Sequence, residues 1–376
     1  MPHELRAAVV GTGFVAALHV DALRRLGIEV KGVVGSSPER ARAKALAPVY
    51  ENLEAALADD VDVVHVTTPN HLHHGQVRAA LAAGKHVVCE KPLATTSDES
   101  GELLVLARRS GLVHCTNFNI RFYPVVQHVR ALVRAGELGA VWNAHGGYLQ
   151  DWLALPTDWN WRLEAEKGGE LRAVGDIGSH WLDLVEFVTG LRVVELCADL
   201  ATVIPVRQRP VGEVETFAAA EDAERVAAPM ATEDLANVLL RFGNGARGSM
   251  VVSQVSSGRR NSLRFELDGS LGAAAWDGER HEELWLGHRG RPNELLLRDP
   301  AQLAPEIAGR TALPAGHAEG FADTFKELYR AVYAAVAAGG PPAEPDYPTF
   351  EDGHRAQLLG EAIAASSRER GWVEID

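Results

Sequence analysis

A short apolar run, Arg6 to Val10, breaks into G-T-G-F-V-A (Gly11 to Ala16) and continues as a helical pattern through Leu18, Leu23 and Leu26. Strand, glycine turn and helix in immediate succession allow few arrangements. In a dinucleotide-binding turn the first glycine permits the tight bend, and the second lets backbone approach a pyrophosphate lying against the helix N-terminus. Gly11 and Gly13 stand at those positions, and Ala16 takes the third, where helix packs closely on strand. An ordinary glycine turn would read the same, so the following residues decide. A second strand (Val30 to Val34), a helix from Pro38, a third strand (Val61 to Val66), a helix from about Leu72 and a fourth strand (His86 to Cys89) come next. This alternation predicts a doubly wound, parallel α/β Rossmann domain.

At 376 residues the chain exceeds what one core usually supports, and roughly 100 to 200 residues per domain predicts two. We expect a Rossmann domain over 1–122 and an α+β domain with an open, mostly antiparallel sheet over 123–376. The segment 117–124 (N-F-N-I-R-F-Y-P) reads as the crossover, with Arg121 and Tyr123 near cofactor or substrate. Period-two alternation over Asn237 to Phe242, Ala246 to Ser253 and Ser262 to Leu267, with G-N-G and D-G-S turns, predicts the antiparallel strands. Residues 205–233 read as an insertion or mobile loop, and Pro341 to Pro348 as the lead into a last helix, Phe350 to Arg370, able to pack back on the first domain.

Composition narrows the function classes. No apolar run reaches the ~20 residues of a membrane helix, and a net charge of -14 offers no clustered cationic face for nucleic acid or a membrane surface. Three scattered cysteines, Cys89, Cys115 and Cys197, and a strand starting close to Met1 predict a cytoplasmic protein.

At the end of the second strand, where NAD-binding enzymes place a carboxylate on the ribose, this chain reads G-S-S-P-E-R. Ser36, Ser37 and Arg40 suit a 2′-phosphate and favour NADP(H) over NAD(H), while a plain serine N-cap before Pro38 satisfies the same residues. The fourth strand runs into Glu90, Lys91 and Pro92. A lysine at the carboxyl end of a sheet strand is placed to polarise a substrate oxygen. Asp176 and His180 stand four apart at the head of an apolar helical pattern. Imidazole suits proton transfer near neutral pH, and a carboxylate one turn away orients it or the substrate. Read separately, these would be a helix-start acid and a core histidine. Trp152, Trp159, Trp161 and Arg162 precede that helix and suit either the apolar faces of a sugar or packing. His71, His73 and His74 lack a metal-site spacing, so no metal is expected.

Together G-T-G-F-V-A, T-T-P-N-H-L-H (Thr67 to His73), E-K-P, N-W-R (Asn160 to Arg162) and D-I-G-S-H (Asp176 to His180) resemble the Gfo/Idh/MocA oxidoreductases across nearly the whole chain. The resemblance implies hydride transfer between a nicotinamide cofactor and a hydroxyl or keto carbon of a sugar or cyclitol. It implies Lys91, Asp176 and His180 as the catalytic set, with either Lys91 or His180 moving the proton. Beyond Gly11, Gly13, Ser36, Ser37 and Arg40, the cofactor is expected to meet Phe14, Val15, Thr68, Pro69, Asn70, His71, Glu90, Lys91, Trp161 and Arg162. Substrate is expected at Lys91, Asn117, Arg121, Trp161, Asp176 and His180. The resemblance also implies a homodimer or homotetramer. Related folds include glycoside-processing enzymes that use bound NAD(H) for transient oxidation, and non-catalytic nucleotide sensors. The joint presence of the three polar residues speaks against a sensor.

Overall fold

The computed structural model describes residues 4–212 and 224–375. Its first part alternates β1 (Arg6–Val10), α1 (Phe14–Arg25), β2 (Glu29–Val34), α2 (Pro38–Lys44), α3 (Leu53–Ala58) and β3 (Val63–Val66). There follow α4 (His73–Ala82), β4 (His86–Cys89), α5 (Ser97–Ser110) and β5 (His114–Thr116). The middle of the chain holds α6 (Pro124–Arg134), β6 (Val141–Leu149), α7 (Ala165–Gly168), α8 (Ser179–Thr189), β7 (Val193–Ala201), β8 (Val206–Pro210) and β9 (Arg225–Pro229). Then come β10 (Leu235–Phe242), β11 (Arg247–Ser253), β12 (Ser262–Gly269), β13 (Ala273–Asp277), β14 (Glu283–Gly287) and β15 (Glu294–Leu297). The last elements are α9 (Pro305–Ala308), α10 (Phe321–Ala337), α11 (Phe350–Glu369) and β16 (Val373–Glu374). Among the described residues no helix is long and apolar enough to cross a membrane.

The chain falls into two compact units. The first comprises 1–119, 166–169 and 322–357, and the second 120–165, 170–321 and 358–376. The division lies at 119/120 where the sequence suggests 122, and the chain returns to the first unit well before the last helix. The reason is α10: Phe325, Tyr329 and Tyr333 are buried, and their rings pack on His19 of α1 and His65 of β3.

In the first unit the parallel sheet has the order β2-β1-β3-β4-β5. Its strands are near-continuous apolar runs such as Ala7 to Val10 and Val87 to Cys89, as a sheet covered on both faces requires. Local chemistry sets the helix ends. Ser37 caps α2 ahead of Pro38, Asn52 caps α3 and Thr96 caps α5, which stops at Gly111 in the left-handed region.

The second unit is built on a nine-stranded sheet, order β15-β14-β13-β12-β6-β11-β10-β7-β16. It is mixed: β6 runs parallel to β11, and the other pairings are antiparallel. Neighbouring backbone crowds the middle of β6 so closely that a side chain at Gly147 would strike the Val251 carbonyl. Glycine is therefore required there. Helices α6 and α8 pack against each other, and Val125, Val129, Trp181, Leu184 and Val185 join Leu240, Met250 and Phe265 in one buried core. Each such fully buried aliphatic or phenyl side chain contributes about 1.5–3 kcal/mol relative to exposure. The expected loop over 205–233 contains an antiparallel ribbon, β8 with β9. Its Pro, Ala and Glu content hides the strand pattern, and 213–223 lie outside the described residues.

His114 of β5 accepts the Phe350 N–H at 3.1 Å, and burial, reinforced by Arg108, pushes its imidazole down to about 4. An unfolded histidine titrates near 6.5, so between those values the unfolded chain binds more protons and stability falls as pH is lowered. Urea midpoints measured from pH 7 to 4 should show His114→Asn, which keeps an acceptor for Phe350 but cannot titrate, losing less stability than wild type over this window, by up to about 3 kcal/mol.

Candidate active site

Parallel register lines up Val34, Val10, Val66, Cys89 and Thr116 across β2, β1, β3, β4 and β5. The residue after each strand therefore emerges at the same edge: Gly35, Gly11, Thr67, Glu90 and Asn117. Gly11 has φ +120 and donates its N–H to Val34 O at 2.8 Å; a Cβ there would lie 2.8 Å from the Thr67 carbonyl oxygen. Gly13 caps α1 and has no heavy atom within 4 Å of where a Cβ would stand. Open space before a helix N-terminus, reached by a glycine backbone, fits a dinucleotide pyrophosphate. Phe14 is exposed on the first turn of α1, with Val15 half-buried beside it. Behind them Ala16 is fully buried, as close helix-to-strand packing demands.

At the end of β2, Ser37 Oγ accepts the Arg40 N–H at 3.3 Å. The plain N-cap is therefore present, while Ser36 and Arg40 lie exposed. After β3, Thr67 Oγ donates to Val10 O at 3.0 Å, Thr68 Oγ to Gln76 at 2.6 Å, and Asn70 Nδ2 to Gly168 O at 2.8 Å. Pro69 precedes a short turn, Asn70–Leu72, on which His71 is exposed. His73 is buried with Nδ1 2.7 Å from Pro92 O and Nε2 2.8 Å from Thr68 O, so it ties the T-T-P loop to the E-K-P loop. His74 pairs with Glu102 at 3.0 Å.

Glu90 closes β4 almost fully buried and Lys91 follows it half-buried, with a cis Lys91–Pro92 peptide. Glu90 accepts from His19 Nε2 at 3.0 Å, from the Lys91 N–H at 3.2 Å and from the Asn117 amide. Asn117 also accepts the Tyr329 hydroxyl at 3.2 Å. Asn117, expected at the substrate from sequence, has 1% of its surface exposed and is bonded to Glu90.

In the second unit Asp176 lies on a π-helical turn, Val174–Gly178, that runs directly into α8 with His180 in its first turn. Such a wide turn needs its N-terminal amides satisfied, and Glu233 accepts those of Arg172 and Val174 at 2.8–3.0 Å. The Asp176 carboxylate is held from both sides, by Arg162 Nε at 3.2 Å and Gln254 Nε2 at 2.9 Å. The Arg162 guanidinium lies 4.5 Å from the centre of the Trp161 ring and 5.8 Å from that of Trp152. Asn160 caps the turn that carries Trp161 and Arg162, its Oδ1 accepting the Arg162 N–H at 2.8 Å. The N-W-R motif is thus a cap, a ring and a guanidinium aimed at Asp176. His180 is half-buried, its ring 6.3 Å from that of Tyr148.

Nearby in the same unit Asp234 takes Arg172 and Arg207 in an ion cluster with no exposed side-chain surface. Burial pushes the Asp234 carboxyl up, but the Ile204 N–H and the two guanidinium groups outweigh it and hold the carboxyl below its ordinary value. Arg207 also donates to Leu155 O at 3.0 Å, fastening the tryptophan-rich segment to β8. Arg121, expected at the substrate from sequence, pairs with buried Asp183, Nε to Oδ2 at 2.8 Å, and its guanidinium lies 4.7 Å over Phe187. Gln254, Glu233, Asp234 and His19 carry no local sequence signal, since each acts on a partner 46 to 78 residues away along the chain or across an ion cluster.

Residues 5–118 match the oxidoreductase family with an NAD-binding Rossmann fold, and residues 126–275 match the GFO/IDH/MocA C-terminal domain. Levoglucosan dehydrogenase of Pseudarthrobacter phenanthrenivorans is 30% identical over 392 aligned residues, which cover 99% of this chain and 98% of the relative. The solved structure of a levoglucosan dehydrogenase with NADH and levoglucosan matches at TM-score 0.87 and 28% identity over 100% of both chains. An inositol dehydrogenase homologue from Azotobacter vinelandii, solved with NAD+, matches at TM-score 0.83 and 25% identity over 99% of this chain and 97% of its own.

Removing the Gln254 donor loosens the Asp176 carboxylate. A hydrogen bond to a charged group is worth about 1.5–3 kcal/mol, so Gln254→Met should lower kcat/KM roughly 10- to 100-fold. Steady-state kinetics on a folded variant, checked by circular dichroism, measure it.

Proposed function

The chain belongs to the Gfo/Idh/MocA family of nicotinamide-dependent oxidoreductases, and from that membership we propose that it interconverts a hydroxyl and a keto carbon on a sugar or cyclitol. The observation that carries this reading is Asp176, a carboxylate held by two donors and set one turn before His180. Both of its oxygens already accept hydrogen bonds, which suits orientation of substrate or of the imidazole and not proton uptake. His180 then serves to exchange the proton of the reacting hydroxyl, and Lys91, at the carboxyl end of β4, to donate to a substrate oxygen and steady the charge that develops on it. The nicotinamide ring, when bound, supplies the hydride acceptor or donor. Trp161 and Trp152, with Arg162 over their rings, offer apolar faces of the kind that pack on sugar C–H groups.

The substrate class is supported by the relatives, whose names specify levoglucosan, 1,5-anhydro-D-fructose and D-glucosides. For the cofactor, the end of β2 lacks a ribose carboxylate and exposes Ser36 and Arg40, and on that ground we assign NADP(H) over NAD(H). Levoglucosan dehydrogenase has been solved with NADH, and the inositol dehydrogenase homologue with NAD+.

Incubation with NAD+ or NADP+ and a panel of cyclitols, aldoses and anhydrosugars, followed by nicotinamide absorbance, should reveal turnover that Lys91→Ala and His180→Ala each lower by roughly 10²- to 10⁴-fold. Full activity in both variants would overturn the catalytic assignment. In a separate fluorescence titration, Arg40→Ala should raise the Kd for NADPH roughly tenfold and leave that for NADH unchanged. Tighter wild-type binding of NADH than of NADPH would reverse the cofactor assignment.

A further inference from the structure

Beside Asp176 and His180 the second unit holds a relay of polar side chains that the reaction described above does not use. Tyr148 and Gln150 stand two apart at the end of β6, with Trp152 two further on. Backbone bonds hold this segment: the Gln150 N–H donates to Ser253 O at 2.8 Å, and Gln150 O accepts the Ser256 N–H at 2.9 Å. Asn261, just ahead of β12, donates its own N–H to Glu279 at 3.1 Å. The Trp152 indole bonds Gln150, the Gln150 Nε2 lies 3.1 Å from Asn261 Oδ1, and the Tyr148 hydroxyl meets that same oxygen. The direction of these bonds follows from the one group that has no choice. An indole N–H only donates, so the Gln150 atom beside it is the oxygen. The Gln150 NH2 then faces Asn261, which must answer with oxygen, and Tyr148 must give its proton to that oxygen.

We propose that Gln150 and Asn261 are positioning residues for the substrate site: they commit the indole N–H of Trp152 and the hydroxyl proton of Tyr148, so that Trp152 takes the substrate by its ring face and not by a hydrogen bond. The inference rests on the reading of this site as one for a sugar or cyclitol. Placement supports it. The Arg162 guanidinium that holds Asp176 lies 5.8 Å from the centre of the Trp152 ring, and the Tyr148 ring lies 6.3 Å from that of His180. One relay thus ties together the aromatic rings that flank Arg162 and His180. Trp152 is half-buried, which leaves surface for a ligand, whereas Tyr148 has 4% of its surface exposed. Burial, with the nearby Asp176 carboxylate, pushes the Tyr148 phenol up, so it keeps the proton that Asn261 accepts. A ring fixed at its edge meets the C–H groups of a polyol with its orientation already set, which lowers the ordering cost of binding. Contacts of this kind act on bound substrate and transition state alike, so they set KM and leave kcat. Without the Asn261 oxygen, the Gln150 NH2 turns to another acceptor and its oxygen leaves the indole.

Two readouts on the full-length protein test it. The first is solvent exchange of the Trp152 indole N–H, followed by NMR on protein carrying isotope-labelled tryptophan, the signal being identified by its loss in Trp152→Phe. Asn261→Leu should speed that exchange about tenfold, the worth of one hydrogen bond, whereas Asn261→Asp, which still accepts from both Gln150 and Tyr148, should stay within about twofold of wild type. The second is steady-state kinetics with whichever sugar or cyclitol of the panel turns over best. Asn261→Leu should raise KM about tenfold with kcat held within about twofold, and Asn261→Asp should return KM to the wild-type value. Gln150→Met should speed exchange and raise KM in the same way, and serves alone if Asn261→Leu does not fold. Unchanged exchange in the folded variants would overturn the proposal, and so would a fall in kcat with KM unmoved. The two readings fail separately. Turnover with an unmoved KM in the variants sinks this inference and leaves the function standing, whereas faster exchange with no turnover on any polyol upholds the relay and sinks the function.

Discussion

Parallel pairing places the ends of five strands in one line, and the chemistry of the first unit follows from that register. Because Val34, Val10, Val66, Cys89 and Thr116 are mutual partners, the next residue of each strand is delivered to the same edge whatever lies between them in sequence. Gly11 turns away sharply there, since a side chain would strike Thr67. Glu90 and Asn117 arrive side by side and bond, although 27 residues separate them. A one-residue slip of β4 would exchange Glu90 for an apolar neighbour and point Lys91 elsewhere.

The second unit solves a different problem, that of keeping carboxylates in place where water is scarce. Asp176, Glu233 and Asp234 each accept at least two donors, from side chains or backbone amides. Leaving any of them unpaired would cost several kcal/mol, so the donors fix their geometry. Glu233 is pushed up by burial yet drawn back by the amides of Arg172 and Val174, and in return it secures the wide turn that presents Asp176. The ribbon of β8 and β9 enters the same construction through Arg207, which joins Asp234 to the tryptophan-rich segment.

Most strands and helices are legible in advance because their signals are local. Apolar runs bounded by turn residues mark buried parallel strands, and Ser37, Pro38 and Thr96 mark helix starts through cap chemistry that spans three residues. The fourth strand, His86–Cys89, and the start of α11 at Phe350 stand where the pattern puts them. The ribbon of β8 and β9 escapes such a reading because its strands are short and lack a period-two apolar pattern, and their pairing, not their composition, defines them. The partner of Arg121 is hidden from sequence for a related reason. A motif shows that a guanidinium is present, but Asp183, 62 residues on, determines where it points.

Strand period, helix period and cap chemistry act over a few residues, and for that reason the class of fold, the glycine turn, the E-K-P loop and the D-x-x-x-H spacing are already present in the primary structure. Which polar groups answer one another is a tertiary matter. The line from Tyr333 through His65 and His19 to Glu90 joins α10, β3, α1 and the end of β4, and no periodicity links positions 333, 65, 19 and 90. A buried donor must find an acceptor wherever packing brings one, and packing is a property of the whole fold.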